Sequence, residues 1–436
     1  MHAKPLTIVL SVVTAWATVA LGAGFGQEAR AATDAAYLPC GPAALVAGIA
    51  GAGSGATLSL APHCTYELTA ALPAVNQDLT IRGNGATIER SFSPGVPDFS
   101  ILTVNQGNLV ISDLSFRNGG SGEIGAPLAF GSAGGAIDNY GNLTVTGGDF
   151  TSSSTADGGA ILNEFGNLSV RDAVFAGNAA VNGGAIENNG TMVVTNSTFT
   201  ANTATSLGGA VATAGDATVS GGTFSGNTAE SGGGMWSTIT AAVTGSDFRG
   251  DKAGLGGGVF NDGFMTFTGG QLVSDTASYA GGGIYNDEFG EATVTGTAFL
   301  RNTALFGGGM DNEDIAALSG SPMYGNSAGQ VGGGIYTDWV LTVADSQILR
   351  NVAAAGGGGI YNSSSFGPPG YVALSDSAVL DNRPDNCEGC QPDGAPRGLG
   401  ARRARRVGRA TIRRWPGGRP MPSFPAATPG RPGAPR

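Results

Sequence analysis

Three columns of apolar residues recur along the chain with a period of 24 to 26 residues. Ten times a Gly-Gly-small tetrad ends in an aliphatic or Met residue: Ile137, Ile161, Ile186, Val211, Met235, Val259, Ile284, Met310, Ile335 and Ile360. A second column follows at Val145, Val170, Val194, Val219, Val243, Phe267, Val294, Leu318, Val343 and Leu374. Five residues past each member stands a third: Phe150, Phe175, Phe199, Phe224, Phe248, Leu272, Phe299, Met323, Ile348 and Val379. Ile111 and Phe116 keep the same step, so an eleventh unit begins earlier.

Three short apolar strands per unit, with no helical period between them, predict one turn of a solenoid. In Asn142-Leu-Thr-Val-Thr146 the alternation is plain: Leu143 and Val145 point inward and the threonines outward. The fold class expected is therefore all-β, a right-handed parallel β-helix of about eleven coils with a small N-terminal cap. Two polar columns fit it. Asn139, Asn163, Asn188, Asn261, Asn286, Asn312 and Asn362 follow the tetrads; Asn178, Asn202, Asn227, Asn302, Asn326, Asn351 and Asn382 follow the third column, with Asp251 and Asp275 as substitutes. Stacked asparagines can hydrogen-bond from coil to coil, and Asn and Gly both tolerate the left-handed conformation of tight corners.

Glycine supplies 76 of 436 residues, and charged residues are 13%. Without a period that composition would suggest disorder; with one, the glycines turn corners. Gly183-Gly-Ala-Ile186 followed by Phe199-Thr-Ala-Asn202 resembles the GGAI/FxxN repeats of the chlamydial polymorphic outer-membrane proteins, and is similar to secreted parallel β-helix proteins of other bacteria. The resemblance implies a surface-exposed adhesin passenger.

Four segments are expected: a signal peptide at 1–31, an N-terminal cap at 32–78, the β-helix repeats at 79–386, and a cysteine pair with an Arg/Pro-rich tail at 387–436. The apolar stretch behind Lys4 and the small-x-small site Ala29-Arg30-Ala31 read as a secretory leader; an uncleaved membrane anchor is the alternative, and no later apolar run is long enough to span. Cys40, Cys64, Cys387 and Cys390 lie in pairs on either side of the repeats, as disulfides outside the cell would. The tail from Gln391 carries eleven arginines and one acid, leaving eleven basic and 32 acidic side chains in the rest. So acidic a body argues against nucleic acid as its partner.

Past the leader the single histidine is His63, so histidine acid–base chemistry along the repeats is excluded. Asp262, Asp287 and Asp338, with Glu288, Glu313 and Asp314, fall on successive coils and would be the ligands of a calcium ion if one binds; Arg301 or Lys252 could then take a proton, as in a polysaccharide lyase. The other reading of these acids is a solvated turn. A more specific signal is Trp236, Phe260, Tyr285, Tyr336 and Tyr361, each directly after a first-column residue and interrupted by Asp311. On a parallel stack their rings form an outward strip at ~4.8 Å intervals, fit to stack on sugars or a partner surface, or to pack on itself. The expected function is a non-catalytic secreted or cell-surface protein that binds polysaccharide or a surface protein; the alternative is a calcium-dependent lyase or hydrolase of acidic polysaccharide.

Overall fold

The structure, a computed structural model, describes residues 35–120, 134–363 and 370–390. The expected leader at 1–31 and the tail after Cys390 lie outside them. The chain is a parallel β-solenoid of about 13 turns. One network joins 25 strands and supplies two faces of each turn, and a 12-stranded sheet supplies another. A fourth side carries a five-stranded and a two-stranded ladder.

Every apolar column is a register line. Ile161 pairs with Ile137 and Ile186, Val170 with Val145 and Val194, Phe175 with Phe150 and Phe199. Period-two alternation puts these side chains inside, where the largest are solvent-free. From Phe116 to Phe248 six phenylalanine rings stack with centroids 4.3 to 5.2 Å apart. Leu272 ends that run, and Phe267 from the second column tilts toward Phe248 at 54°.

The asparagines form two buried ladders. Asn139 Nδ2 donates to Asn163 Oδ1 at 2.6 Å, and Asn163 Nδ2 to Asn188 Oδ1 at 2.6 Å. In the second ladder Asn202 Nδ2 donates both to Asn227 Oδ1 (3.1 Å) and to the Phe175 carbonyl (3.0 Å). The same amide thus satisfies the next coil and a corner carbonyl of the previous one, which is how a tight turn avoids unpaired backbone.

The tetrad glycines serve two needs, seen at Gly208 and Gly209. Gly208 has φ +61°, a conformation that side chains resist. Gly209 has an ordinary φ, but a Cβ there would meet the Gly233 carbonyl oxygen of the next coil closer than any contact allows. The obstacle is backbone and cannot rotate away. Gly209→Ala should therefore cost about 1–3 kcal/mol, read as a lowered unfolding midpoint; an unchanged midpoint would contradict the close approach.

Two features depart from the sequence reading. Parallel pairing runs back past residue 79: Ala36–Leu38 pairs with Ala56–Leu60, which pairs with Leu79–Arg90. These early strands lack the Gly-Gly tetrad, which is why about eleven coils were expected where about 13 exist. The helix Pro42–Gly51, with proline at its start, lays Leu45 and Ile49 on the stack end, and Cys40–Cys64 ties it down. A Cys387–Cys390 disulfide sits at the last strand.

The second departure is a fourth column, of alanine. Ala180, Ala204, Ala229, Ala277, Ala304, Ala328 and Ala353 are all buried, two residues past the second Asn ladder. Ala277, Ala304, Ala328 and Ala353 lie in the five-stranded ladder and Ala180 and Ala204 in the two-stranded one, both with register shifts. The recurrent Asn/Asp-x-Ala was the available signal; alanine is too weakly apolar to mark a strand by itself.

Candidate functional site

The strip predicted after the first column exists as a register line: Trp236, Phe260, Tyr285, Asp311, Tyr336 and Tyr361 pair in sequence. Each occupies the middle of a three-residue strand whose neighbours, such as Met310 and Asn312, fill the interior. Their side chains therefore leave the solenoid on its outer side. They are not, however, an open surface. Phe260 and Tyr285 are only 7% and 5% exposed, and Trp236, Tyr336 and Tyr361 are half-buried. The cause is the alanine-column sheet, whose strand ends lay Leu255, Ala280 and Phe306 against the rings. Phe260 lies 5.1 Å from Tyr285, Phe306 meets Tyr336 edge-on at 5.9 Å, and Tyr336 stacks on Tyr361 at 5.8 Å. Part of the strip thus packs on itself, and the rest is the floor of a trough. In earlier coils Asp138, Leu162, Glu187 and Ala212 hold these positions.

Acids line the other side. The backbone N–H groups of Asp262, Asp287, Glu313 and Asp338 each donate to the preceding coil, at Ser237, Asn261, Asn286 and Asn312. These four carboxyls therefore stand one per coil, about 4.8 Å apart. Thr238 Oγ1 donates to Asp262 and the Tyr285 hydroxyl to Asp287, both at 3.4 Å. Burial raises every one of them, Asp262 and Asp338 to about 6, Glu313 to about 7 and Asp287 upward. Nearby acids add to it: Asp287 and Glu288 at Asp262, Glu288 at Asp287, Asp287 and Asp338 at Glu313, and Asp314 at Asp338. Asp311, 2% exposed in the floor, is pushed well above the usual carboxyl range by burial and by Glu313, Asp338 and Asp287. The same acids and burial raise Tyr336 to about 12. No lysine or arginine figures among the charges that act most on this cluster.

Among the described residues no group of three His, Cys, Asp or Glu side chains is gathered as metal ligands would be; Asp262, Asp287 and Asp338 stand in a row, each on its own coil. Lys252 and Arg301, the basic partners a lyase would need, are exposed, and none of the three ion pairs of the described residues falls in the trough. A shallow cavity of about 270 Å³ lined by Gly320, Pro322, Asp345 and Gln347 lies at a turn between the second and third columns, with one ionisable side chain.

The sequence reading missed an outer row. Phe165, Ile239, Phe264, Phe289 and Trp339 occupy the corner beyond the acids, at 49% to 76% exposure. Their offset from the Asn ladder changes with turn length, so no fixed spacing exposed them. Phe264 and Phe289 in adjacent coils, with Trp339 two coils further on, put exposed rings beside carboxyls, a surface able to stack on a flat apolar face and accept hydrogen bonds from its edge.

No known protein family matches the chain, nor does any curated protein. Among solved structures it is similar to tailspike protein 3 of bacteriophage CBA120, with 14% identity and a TM-score of 0.42 over 82% of this chain and 59% of that one. It is also similar to PfbA, a surface adhesin of Streptococcus pneumoniae, with 12% identity and a TM-score of 0.36 over 80% of this chain and 88% of that one. The chain spans 59% of the length of the tailspike protein.

Proposed function

We propose that this protein is a secreted or cell-surface glycan-binding β-helix without catalytic activity. The observation that carries the reading is the combination of an exposed corner ring, a ring of the outer strip and a carboxyl in three coils on one side: Phe264 with Phe260 and Asp262, Phe289 with Tyr285 and Asp287, and Trp339 with Tyr336 and Asp338. A sugar presents an apolar face and a hydroxyl edge, and these are the complements of a ring and a carboxylate. Export is supported by the Cys40–Cys64 and Cys387–Cys390 disulfides, which persist in oxidising compartments. The GGAI/FxxN likeness to chlamydial surface proteins points the same way. Among the described residues no lysine or arginine is one of the charges acting most on the carboxyls. That disfavours the lyase alternative, since a lyase needs a base and a counter-charge for an acidic polymer.

Binding of the purified protein to a panel of immobilised polysaccharides tests the reading. Trp339→Ala should weaken binding about 5- to 10-fold, the worth of one lost ring contact, while leaving the unfolding midpoint in place because Trp339 is 50% exposed. No binding across the panel, or depolymerisation of any member, would overturn it.

A further inference from the structure

The trough has an uncompensated charge pattern that says more about its ligand. Four carboxyls in consecutive coils repel one another, and the charges acting most on them are other acids. Below them Asp311 breaks a row of rings, with Tyr285 and Tyr336 as its register partners. Met310 and Asn312 fill the interior, so Asp311 is aimed the other way, into the trough, and its Oδ1 is buried without a hydrogen-bond partner. A buried oxygen with no donor costs stability unless something supplies a hydrogen. A tyrosine on either side of that acid would be an odd choice for a divalent cation, which wants six or more oxygens, but is a fitting one for an ammonium, which the faces of aromatic rings attract.

We propose that the segment from Asp262 to Asp338 binds an extended glycan that carries free ammonium groups, a polymer of deacetylated amino sugars, with about one sugar per coil. The proposal rests on the glycan-binding reading and names the ligand class. The coil spacing of ~4.8 Å is on the scale of one sugar of an extended chain, so the ammonium groups turned toward the row fall within reach of its carboxylates. Each ammonium donates three hydrogens to a cluster made of acceptors and cancels the repulsion between neighbours. An acidic polysaccharide would add to that repulsion, and a neutral one would leave it unrelieved.

The test compares glucosamine oligomers with N-acetylglucosamine oligomers of equal length at about pH 7, above the values near 6 of Asp262 and Asp338, with a chelator present. The ammonium form should bind about tenfold tighter, the margin of one charge-assisted hydrogen bond, and lose that margin as salt rises. Glu313→Gln with Asp338→Asn should bring the ammonium oligomer down to the affinity of the N-acetylated one, abolishing the difference; both residues are part-exposed, and a far-UV spectrum checks the fold. If the two oligomers bind equally, the ligand class is wrong while the glycan reading stands. If neither binds, both readings fall. A lysine oligomer of equal charge binding as tightly would overturn the proposal in favour of a cationic peptide.

Discussion

Replacing Asp251 and Asp275 together by asparagine should stabilise the protein at neutral pH and remove these two acids' share of the dependence of its stability on pH above 4. The two acids occupy adjacent rungs of the second Asn ladder and are fully buried. Their Oδ1 atoms behave as asparagine oxygens: Asn227 Nδ2 donates to Asp251 Oδ1 at 2.9 Å, and the Asp251 N–H to Asp275 Oδ1 at 2.9 Å. Their Oδ2 atoms take the places of amide nitrogens, which elsewhere donate to the next rung and to a phenylalanine carbonyl. Both Oδ2 atoms are buried and unpartnered. Facing only acceptors, each must carry a proton to fit. Burial accordingly raises Asp251 to about 7, and burial with the neighbouring Asp251 charge raises Asp275 well above its ordinary value.

In the unfolded chain these carboxyls ionise near 4. Between that pH and the folded values the native state binds more protons, so stability is full in acid and falls as pH rises, with the loss complete above the folded values. Asparagine restores the missing donors at every pH. Denaturant unfolding of wild type and double variant across pH 4 to 9 decides it; parallel stability curves would show that the acids are not protonated in the fold.

Phe199→Ala should be the most damaging single truncation in the middle coils. The ring is solvent-free between Phe175 at 4.9 Å and Phe224 at 4.8 Å, with interplanar angles of 7° and 9°. Deleting it should cost about 3–5 kcal/mol, because the backbone on both sides is pinned by ladders and cannot collapse into the gap. Phe199→Leu is the informative partner, since Leu272 already serves in that column. It should cost about 1.5 kcal/mol or less. Equal losses for the two variants, measured by denaturant titration, would mean that stacking geometry and not buried volume sets the stability of the column.

The sequence showed most of the solenoid because its interior is written as columns. The invariant step from Val194 to Phe199 and its equivalents locates two strands, and Ile186 locates a third. The buried Asn ladders were legible for the same reason. What was not legible lies where the period is weak or the information is between coils. The first turns use Leu58, Ile81 and Ile88 without a tetrad. The alanine column carries too little hydrophobicity to announce itself. The cover that Leu255 and Phe306 lay over Phe260 and Tyr285 depends on how far one strand leans, and no spacing encodes that. Position in the outer strip could be read from Trp236 onward; accessibility could not.

The constant register has a genealogical consequence. Every coil offers its neighbour nearly the same edge, the same corner carbonyls and the same side-chain columns, so the contacts made by one turn are satisfied by any other. Replication slippage that gains or loses one whole period would leave a chain whose remaining turns still stack. Smaller changes are absorbed at the turns, as in the 31-residue step from Asn351 to Asn382, across which the ladder persists. The length of the ligand-facing side is thus a quantity that a lineage can adjust in whole coils, without redesigning a single interior residue.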